Sequence, residues 1–263
     1  MRIACGVEYS GTGYFGWQRQ AHECLTIQAL VEYAIAKIAN HPVVVVAAGR
    51  TDRGVHATQQ VIHFDTDSQR SIDNWLLGIN HYLPDTIRIV WVKPVPDTFH
   101  ARFKAKFRRY CYLIHPAQRY GSSLYFDKVA RDYRTFNVAM MHEAAQYLVG
   151  LHDFSAFRGA ACQAPQPQRH VHFIHVTAKA SLIIVDIQAN GFLYHMVRNI
   201  AGVLMAIGAG QQPLAWCHTV LESKNRCLAT ITAPASGLYF IQAGYPREYG
   251  CLTEPRWPFL GLL

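Results

Sequence analysis

Two similar sets of strand-like and helix-like segments follow one another along this chain. In the first set, residues 3–9 alternate between apolar and less apolar side chains, which is typical of a strand. Thr26 can cap a helix whose apolar residues follow a 3.6-residue period until Asn40-His41-Pro42. The other predicted elements of this set are strands at residues 43–46, 59–65 and 87–92 and a short helix at residues 72–80.

The second set repeats this alternation without a long low-complexity linker before it. Asn137 can cap a helix that stops at Gly150, and residues 172–178 and 182–188 are typical of strands. A long apolar helix is predicted at residues 192–209. The pattern predicts an α+β fold of two related lobes, each a largely antiparallel sheet with helices packed on one face. We place the lobes at residues 1–100 and 101–263.

Composition bounds the class of protein. The 263 residues are 51% hydrophobic, enough to bury a substantial core, and the formal net charge of +8 favours a polyanionic partner. The seven cysteines include no C-x-x-C pair, which argues against a disulfide framework or a cysteine zinc site and fits a reducing cytosol. We find neither a signal-peptide pattern nor an uncharged apolar run of the roughly 18 residues that a membrane span needs. We therefore expect a soluble cytoplasmic protein.

A polar segment bracketed by glycines, Gly49-Arg50-Thr51-Asp52-Arg53-Gly54, follows a run of four valines. Its glycines have the spacing of a phosphate-binding loop, but Val55 and His56 stand where that loop needs Lys and Ser or Thr. Two interpretations stay open from the segment alone. Asp52 is a catalytic carboxylate on a rigid support, or it is a helix N-cap or turn carboxylate neutralised by Arg50 or Arg53.

Residues 99–112 combine cationic and aromatic side chains at strand spacing, and period-2 alternation sorts them into two faces. The apolar face carries Phe103, Ala105, Phe107 and Cys111, and the cationic face carries Arg102, Lys104, Lys106, Arg108, Tyr110 and Tyr112. The cationic face could follow a phosphate backbone and stack on a base. The alternative is an exposed charged strand face without a ligand.

A second aromatic segment, residues 9–20, gathers glycines, rings and amide or guanidinium donors. It suits contacts to a splayed single strand, or it is a tightly packed aromatic turn.

Arg198 is the only full charge between Asp186 and Glu222, on an otherwise apolar helix. A buried arginine needs an anionic partner because an unpaired buried charge is costly, and we expect Asp52 to be that partner. The alternative is a surface arginine on an amphipathic helix. The histidines at 170, 172 and 175 lack metal-ligand spacing, so we expect no metal site.

Together these segments resemble the tRNA pseudouridine synthase A family. The matching motifs are Gly49-Arg50-Thr51-Asp52-Arg53-Gly54-Val55-His56-Ala57, Gly16-Trp17-Gln18-Arg19-Gln20, Phe99-His100-Ala101-Arg102-Phe103, Gly150-Leu151-His152-Asp153-Phe154, residues 192–202, and Thr232-Ala233-Pro234 with Gly237-Leu238-Tyr239. They run in the family's order from residue 9 to about residue 240. Two residues depart from the pattern: Ser10 replaces an acidic residue after the first tyrosine, and Arg53 replaces a small residue after the aspartate.

The resemblance implies isomerisation of uridine to pseudouridine at positions 38, 39 and 40 of the tRNA anticodon stem-loop, by a homodimer that needs no cofactor. It also implies that Asp52 is catalytic, that Tyr110 contacts the target base and that Arg198 pairs with Asp52. We expect Arg50, Arg102 and Lys104 to bind the tRNA as well, in a cleft between the lobes.

The chemistry of this isomerisation is within reach of a carboxylate. Moving C1′ from N1 to C5 of the uracil leaves the composition unchanged, so it requires no redox centre or energy source. Asp52 could add to C6 or C1′ or remove a sugar proton, and the sequence leaves these routes open. Two other functions also stay open from the residues: an RNA-binding protein or tRNA-folding chaperone with a structural Asp52, and a carboxylate-dependent nucleosidase that releases uracil.

Overall fold

The structure is a computed structural model that describes residues 1–20, 24–116, 123–229, 232–251 and 254–259. The chain forms two compact units, one of residues 1–106 with 239–263 and one of residues 107–238. None of the helices in the described ranges is long and apolar enough to cross a membrane.

The first unit follows the order strand, helix, two strands, helix, strand. Its elements are β1 (Arg2–Tyr9), α1 (Ile27–Ala39), β2 (Val46–Ala47), β3 (His56–Asp65), α2 (Ile72–Tyr82) and β4 (Ile87–Val95). The strands lie in the order β4-β1-β3-β2, and each neighbouring pair is antiparallel. Helices α1 and α2 pack against each other.

Local chemistry sets the limits of α1 where the sequence predicts them. The Thr26 side chain accepts a hydrogen bond from the Ala29 amide at 3.4 Å, which satisfies a donor left open at the helix start. The helix ends at Asn40, whose left-handed φ of 60° redirects the chain. Val31 and Ile35 on its apolar stripe are fully buried, so α1 anchors the unit through that face.

The second unit is built on a four-stranded antiparallel sheet. Its elements are β5 (Phe107–Pro116), β6 (Ala130–Asp132), α3 (Val138–Gln146), β7 (Gly150–Asp153), β8 (Gln168–Lys179), β9 (Leu182–Ala189), α4 (Met196–Gly208) and α5 (Trp216–Ser223). The order of the antiparallel strands is β5-β9-β8-β7, and β6 runs parallel to β5. Helix α3 packs on β8 and on α4. The predicted α+β class with largely antiparallel sheets is confirmed.

The bounds of the two units differ from those of the predicted lobes, residues 1–100 and 101–263, because the last strand belongs to the first unit. β10 (Leu238–Gly244) pairs in parallel with β3, with Tyr239 opposite His56 and Phe240 opposite Ala57. This pairing returns residues 239–263 to the first unit, and the second unit begins at Phe107. That the two units are related in structure stays a prediction.

Two element limits also differ from the sequence predictions. Of the valine run, only Val46 lies in a strand, and the Val44 side chain is 74% exposed rather than buried. The apolar helix begins at Met196 and not at residue 192, because His195 has a left-handed φ of 62° that no helix continues through.

Candidate active site

Asp52 lies on a tight turn directly before β3. The Val55 amide donates a hydrogen bond to the Asp52 carbonyl at 3.1 Å, and Gly54 takes a φ of 78°, which favours glycine. The Asp52 residue is half-buried. Because a strand and not a helix follows, the interpretation of Asp52 as a helix N-cap is wrong.

The rigid support of this turn is β3 rather than the valine run. Gln60 Nε2 donates to the Gly49 carbonyl at 2.8 Å, and the Ala48 amide donates to the Val61 carbonyl at 2.8 Å. Both partners belong to β3, which is buried except at its last residue. The loop that carries Asp52 is therefore fixed to the core of the first unit.

A second segment holds the turn from the side of β1. The hydroxyls of Tyr9 and Thr51 lie 2.7 Å apart, and the Trp17 amide donates to the Thr51 carbonyl at 3.0 Å. The pKa of Tyr9 is raised, first by burial and to a smaller extent by the negative charge of Asp52. Tyr9 is thus a protonated phenol close to the Asp52 carboxylate.

The aromatic loop at residues 9–20 is mainly the packed turn of the second interpretation. Trp17 is 1% exposed and lies against the Tyr9 ring, and the Tyr14 hydroxyl lies 2.5 Å from the Thr86 hydroxyl, so both rings belong to the packing of the loop. Phe15 differs from them at 42% exposure, and the Arg53 guanidinium lies 4.4 Å from the centroid of its ring. Arg50 is exposed on the other side of Asp52 in the sequence.

The prediction of one long strand over residues 99–112 is wrong in its first half. Residues 101–104 form turns, because the His100 Nδ1 atom accepts the amides of Arg102 and Phe103 and bends the chain. Arg102 and Lys104 are exposed, as a role in tRNA binding requires. Phe103, predicted to anchor an apolar face, is 74% exposed.

The second half of this segment is β5, and its two tyrosines are buried. Tyr112 is 0% exposed and its hydroxyl donates to the Pro234 carbonyl at 2.8 Å, so it cannot stack on a base as predicted. Tyr110 is 8% exposed and meets the Phe192 ring edge-on, with 5.0 Å between centroids. Arg109, the residue before Tyr110, makes a bidentate ion pair with Asp186, at 2.8 and 2.6 Å.

Arg198 lies in the first turn of α4 and is half-buried, which is between the buried arginine and the surface arginine of the two interpretations. Its Nε atom donates to the Ala233 carbonyl at 2.7 Å, and Nη1 lies 3.3 Å from His195 Nε2. The pKa of His195 is lowered to about 4, first by burial and then by the charges of Arg198 and Arg226. His195 is therefore a neutral neighbour of the Arg198 guanidinium near pH 7.

The sequence reading missed the network that surrounds Arg198. Asn199 is fully buried, and its Oδ1 atom accepts hydrogen bonds from Arg226 and from the Thr232 hydroxyl, at 3.0 and 2.7 Å. Thr232 belongs to a motif that carried the resemblance, so its presence was visible. Its contact with Asn199, which lies 33 positions earlier in the chain, leaves no local sequence pattern.

The site residues divide between the two units. Asp52, Arg50, Arg102 and Lys104 belong to the first unit, and Tyr110 and Arg198 to the second. The pairing of Arg198 with Asp52 stays a prediction. Across the described part of the chain, no group of three or more His, Cys, Asp or Glu side chains could hold a metal ion.

The fold and the site define an α+β protein with a half-buried carboxylate on a loop fixed to the core, between two exposed arginines in the sequence. A family model described as tRNA pseudouridine synthase matches residues 6–104 and 144–246. The chain belongs to this family. The matched segments contain Asp52, Arg50, Arg102, Lys104 and Arg198, whereas Tyr110 lies between them.

Curated relatives match over nearly the full length. The tRNA pseudouridine synthase A of Alcanivorax borkumensis is 47% identical, covering 98% of this chain and 96% of that protein. The proteins of the same name from Aeromonas hydrophila and Pseudoalteromonas atlantica are 48% and 51% identical, covering 98% and 95% of this chain and 95% and 94% of theirs. Among solved structures, a chain of a Cbf5-Nop10-Gar1 complex aligns weakly, with a TM-score of 0.34 and 11% identity over 91% of this chain and 49% of that chain.

Proposed function

We propose that this chain isomerises uridine to pseudouridine at positions 38, 39 and 40 of the tRNA anticodon stem-loop. The observation that carries the proposal is the 47–51% identity, over nearly the full length, to relatives named tRNA pseudouridine synthase A. The formal net charge of +8 supports a polyanionic substrate. The resemblance extends the proposal to a cytoplasmic homodimer without a cofactor, and sedimentation of the purified protein tests the dimer.

Asp52 is the proposed catalytic group. Its turn is fixed to the buried strand β3, and the residue is half-buried, so it is not enclosed in the core. In the reaction the bond between C1′ and N1 breaks and a bond between C1′ and C5 forms. The proton leaves C5, and N1 gains a proton, so atoms and charge balance.

Tyr110 and Arg198 are the proposed partners from the second unit. Phe192 packs edge-on against Tyr110 and already restricts the tyrosine ring. The Tyr110 ring would therefore lose less conformational entropy on contacting the uracil. The Nε bond to the Ala233 carbonyl fixes the orientation of Arg198, whose charge would keep the Asp52 carboxylate ionised. Arg50, Arg102 and Lys104 are exposed cations of the first unit, and we assign them to tRNA phosphates.

An Asp52→Asn variant tests the function against both alternatives. Unmodified tRNA transcripts are incubated with each protein, digested and separated by chromatography, and tRNA binding is measured in parallel. We expect the variant to bind tRNA like the wild type and to form no pseudouridine, because an amide cannot act as nucleophile or base. The control is Asp85→Asn, which alters an exposed carboxylate of the same unit that pairs with Arg88.

Each other result contradicts one part of the proposal. Normal turnover by Asp52→Asn would remove Asp52 from the chemistry. Free uracil as the product would identify a nucleosidase, and binding without any product from the wild type would identify an RNA-binding protein. Mapping pseudouridine in tRNA from cells that lack this protein then tests positions 38, 39 and 40.

A further inference from the structure

Phe15 and Arg53 form an exposed pair beside the Asp52 turn. The Arg53 guanidinium carbon lies 4.4 Å from the centroid of the Phe15 ring, a distance typical of a cation–π contact. Phe15 is 42% exposed and Arg53 is exposed, in a loop whose other large rings are buried. Arg53 directly follows Asp52 in the sequence.

The backbone around Phe15 is fixed relative to the Asp52 turn. The Phe15 amide donates to the Leu25 carbonyl at 2.9 Å, and Gln20 Nε2 donates to the Phe15 carbonyl at 3.2 Å. The next residue, Gly16, lies so close to the turn that an added Cβ would come within 2.8 Å of the Thr51 carbonyl oxygen and 3.1 Å of the Arg53 amide. The backbone that carries the Phe15 ring is therefore tied to the Asp52 turn, and the ring offers the Arg53 guanidinium a contact beside that turn.

A guanidinium in this setting has the chemistry of a phosphate site. Stacking on the ring uses the face of the guanidinium, whereas its N–H groups lie in its plane and form a fork that matches phosphate oxygens. The stack also reduces the side-chain entropy that Arg53 would lose on binding. The substrate that the proposed function assigns to this loop carries one phosphate for each nucleotide.

We propose that Arg53, held against Phe15, binds a backbone phosphate of the tRNA next to the uridine on which Asp52 acts. The proposal rests on the proposed function for its substrate. It assigns Phe15 as a positioning residue, which acts only through Arg53.

Five variants test the phosphate contact: Arg53→Ala, Arg53→Lys, Phe15→Leu, the double variant of Phe15→Leu with Arg53→Ala, and the control Arg70→Ala, which removes an exposed arginine of the same unit. For Arg53→Ala we expect KM to rise about fivefold, with kcat within about twofold of the wild type, as the loss of one charged contact away from the reacting atoms predicts. The slope of log Kd against log salt concentration should fall by about 1.

The other variants separate the charge from the stack. Arg53→Lys should keep the salt slope of the wild type, because the charge is retained. Its KM should lie between those of the wild type and Arg53→Ala, because an ammonium cannot make the two parallel hydrogen bonds of a guanidinium. Phe15→Leu should raise KM by less than Arg53→Ala, and adding it to Arg53→Ala should change nothing further, since both act on one contact. Arg70→Ala should leave KM and slope unchanged.

Three outcomes would overturn the phosphate contact. These are an unchanged salt slope in Arg53→Ala, an equal effect from Arg70→Ala, and full additivity of Phe15→Leu with Arg53→Ala. Direct tRNA binding gives the slope even without turnover. A wild type that binds tRNA but forms no pseudouridine therefore refutes the proposed function, while the Arg53 comparison still decides the contact.

Discussion

Gly16 is the residue whose missing side chain lets the aromatic loop reach the Asp52 turn. A Cβ at this position would lie 2.8 Å from the Thr51 carbonyl oxygen, and its φ of 85° is strained for any other residue. We expect Gly16→Ala to reduce pseudouridine formation at least tenfold, because the backbone that carries Asp52 must shift and small misplacements are costly in catalysis. Single-turnover kinetics with saturating enzyme measures the chemical step.

Gly13 offers a matched control within the same loop. Its φ is 82°, but an added Cβ would have no neighbour within 4 Å. Gly13→Ala should therefore lower the free energy of unfolding by about 1–2 kcal/mol through its backbone conformation, as Gly16→Ala does. The rate of its chemical step should equal that of the wild type. Equal rates for the two variants would show that contact with Gly16 does not position Asp52.

At the scale of single elements, Thr26 defines the start of α1 and thereby the exit from the aromatic loop. Its side chain caps the Ala29 amide and is fully buried, while the Ile27 amide donates to the Gly16 carbonyl at 3.2 Å. We expect Thr26→Ala to lower the free energy of unfolding by about 1–2 kcal/mol and Thr26→Ser to lower it by less, since serine restores the cap. Urea unfolding followed by circular dichroism measures both.

The cap of α2 provides the comparison for this prediction. Ser71 accepts the Asn74 amide at 3.2 Å at an exposed site, so Ser71→Ala should cost about 1 kcal/mol or less. It should leave pseudouridine formation unchanged, because α2 starts far along the chain from the loop. A larger loss of stability in Ser71→Ala than in Thr26→Ala would contradict the role assigned to burial.

Elements fixed by neighbouring residues could be predicted from the sequence, and elements fixed by distant ones could not. Helix α1 was predictable because Thr26 and the apolar period are both local signals. The parallel pairing of β10 with β3 joins Tyr239 to His56, and no local pattern encodes such a partner. Residues 101–104 alternate like a strand but form turns, because the His100 side chain captures two backbone amides.

The same distinction applies to the candidate site. The loop of Asp52 was predictable as a motif, since its glycines and charges are contiguous. The contact of Tyr9 with Thr51 and the packing of Tyr112 under Pro234 depend on the tertiary fold. Alternation in the sequence does not reveal which face of a strand becomes buried.

At the scale of the whole molecule, stability should depend on pH through two histidines, the buried His63 of the first unit and the half-buried His195 of the second. The pKa of His63 is lowered to about 4, first by burial and then by the charges of Arg2 and His100, and the pKa of His195 is also lowered to about 4. Both imidazoles are neutral in the folded chain near pH 7. The unfolded chain takes up these protons first, near a pKa of about 6.5, so acid favours unfolding.

We expect the free energy of unfolding to be nearly constant above pH 6.5 as far as these groups contribute, and to fall as the pH drops from 6.5 to 4. For His63, which is 4% exposed, the loss is up to about 3 kcal/mol, and for the half-buried His195 it is smaller. Urea unfolding at pH 7.5 and 5.0 measures the difference. His63→Gln and His195→Asn should each reduce that difference, and asparagine suits the left-handed φ of 62° at residue 195.

The exposed His81 supplies the control, because His81→Asn should leave the pH dependence of the wild type unchanged. The His63→Gln and His195→Asn variants should be less stable than the wild type at pH 7.5. Because glutamine and asparagine cannot gain a proton in this range, their free energy of unfolding should fall less than that of the wild type between pH 7.5 and pH 5.0. A pH dependence that stays the same in both variants would show that His63 and His195 do not cause the acid sensitivity. The ion pairs of Arg2 with Asp65 and of Arg134 with Asp132 hold the pKa values of those carboxyls below their usual range, so their contribution is lost at lower pH than that of the histidines.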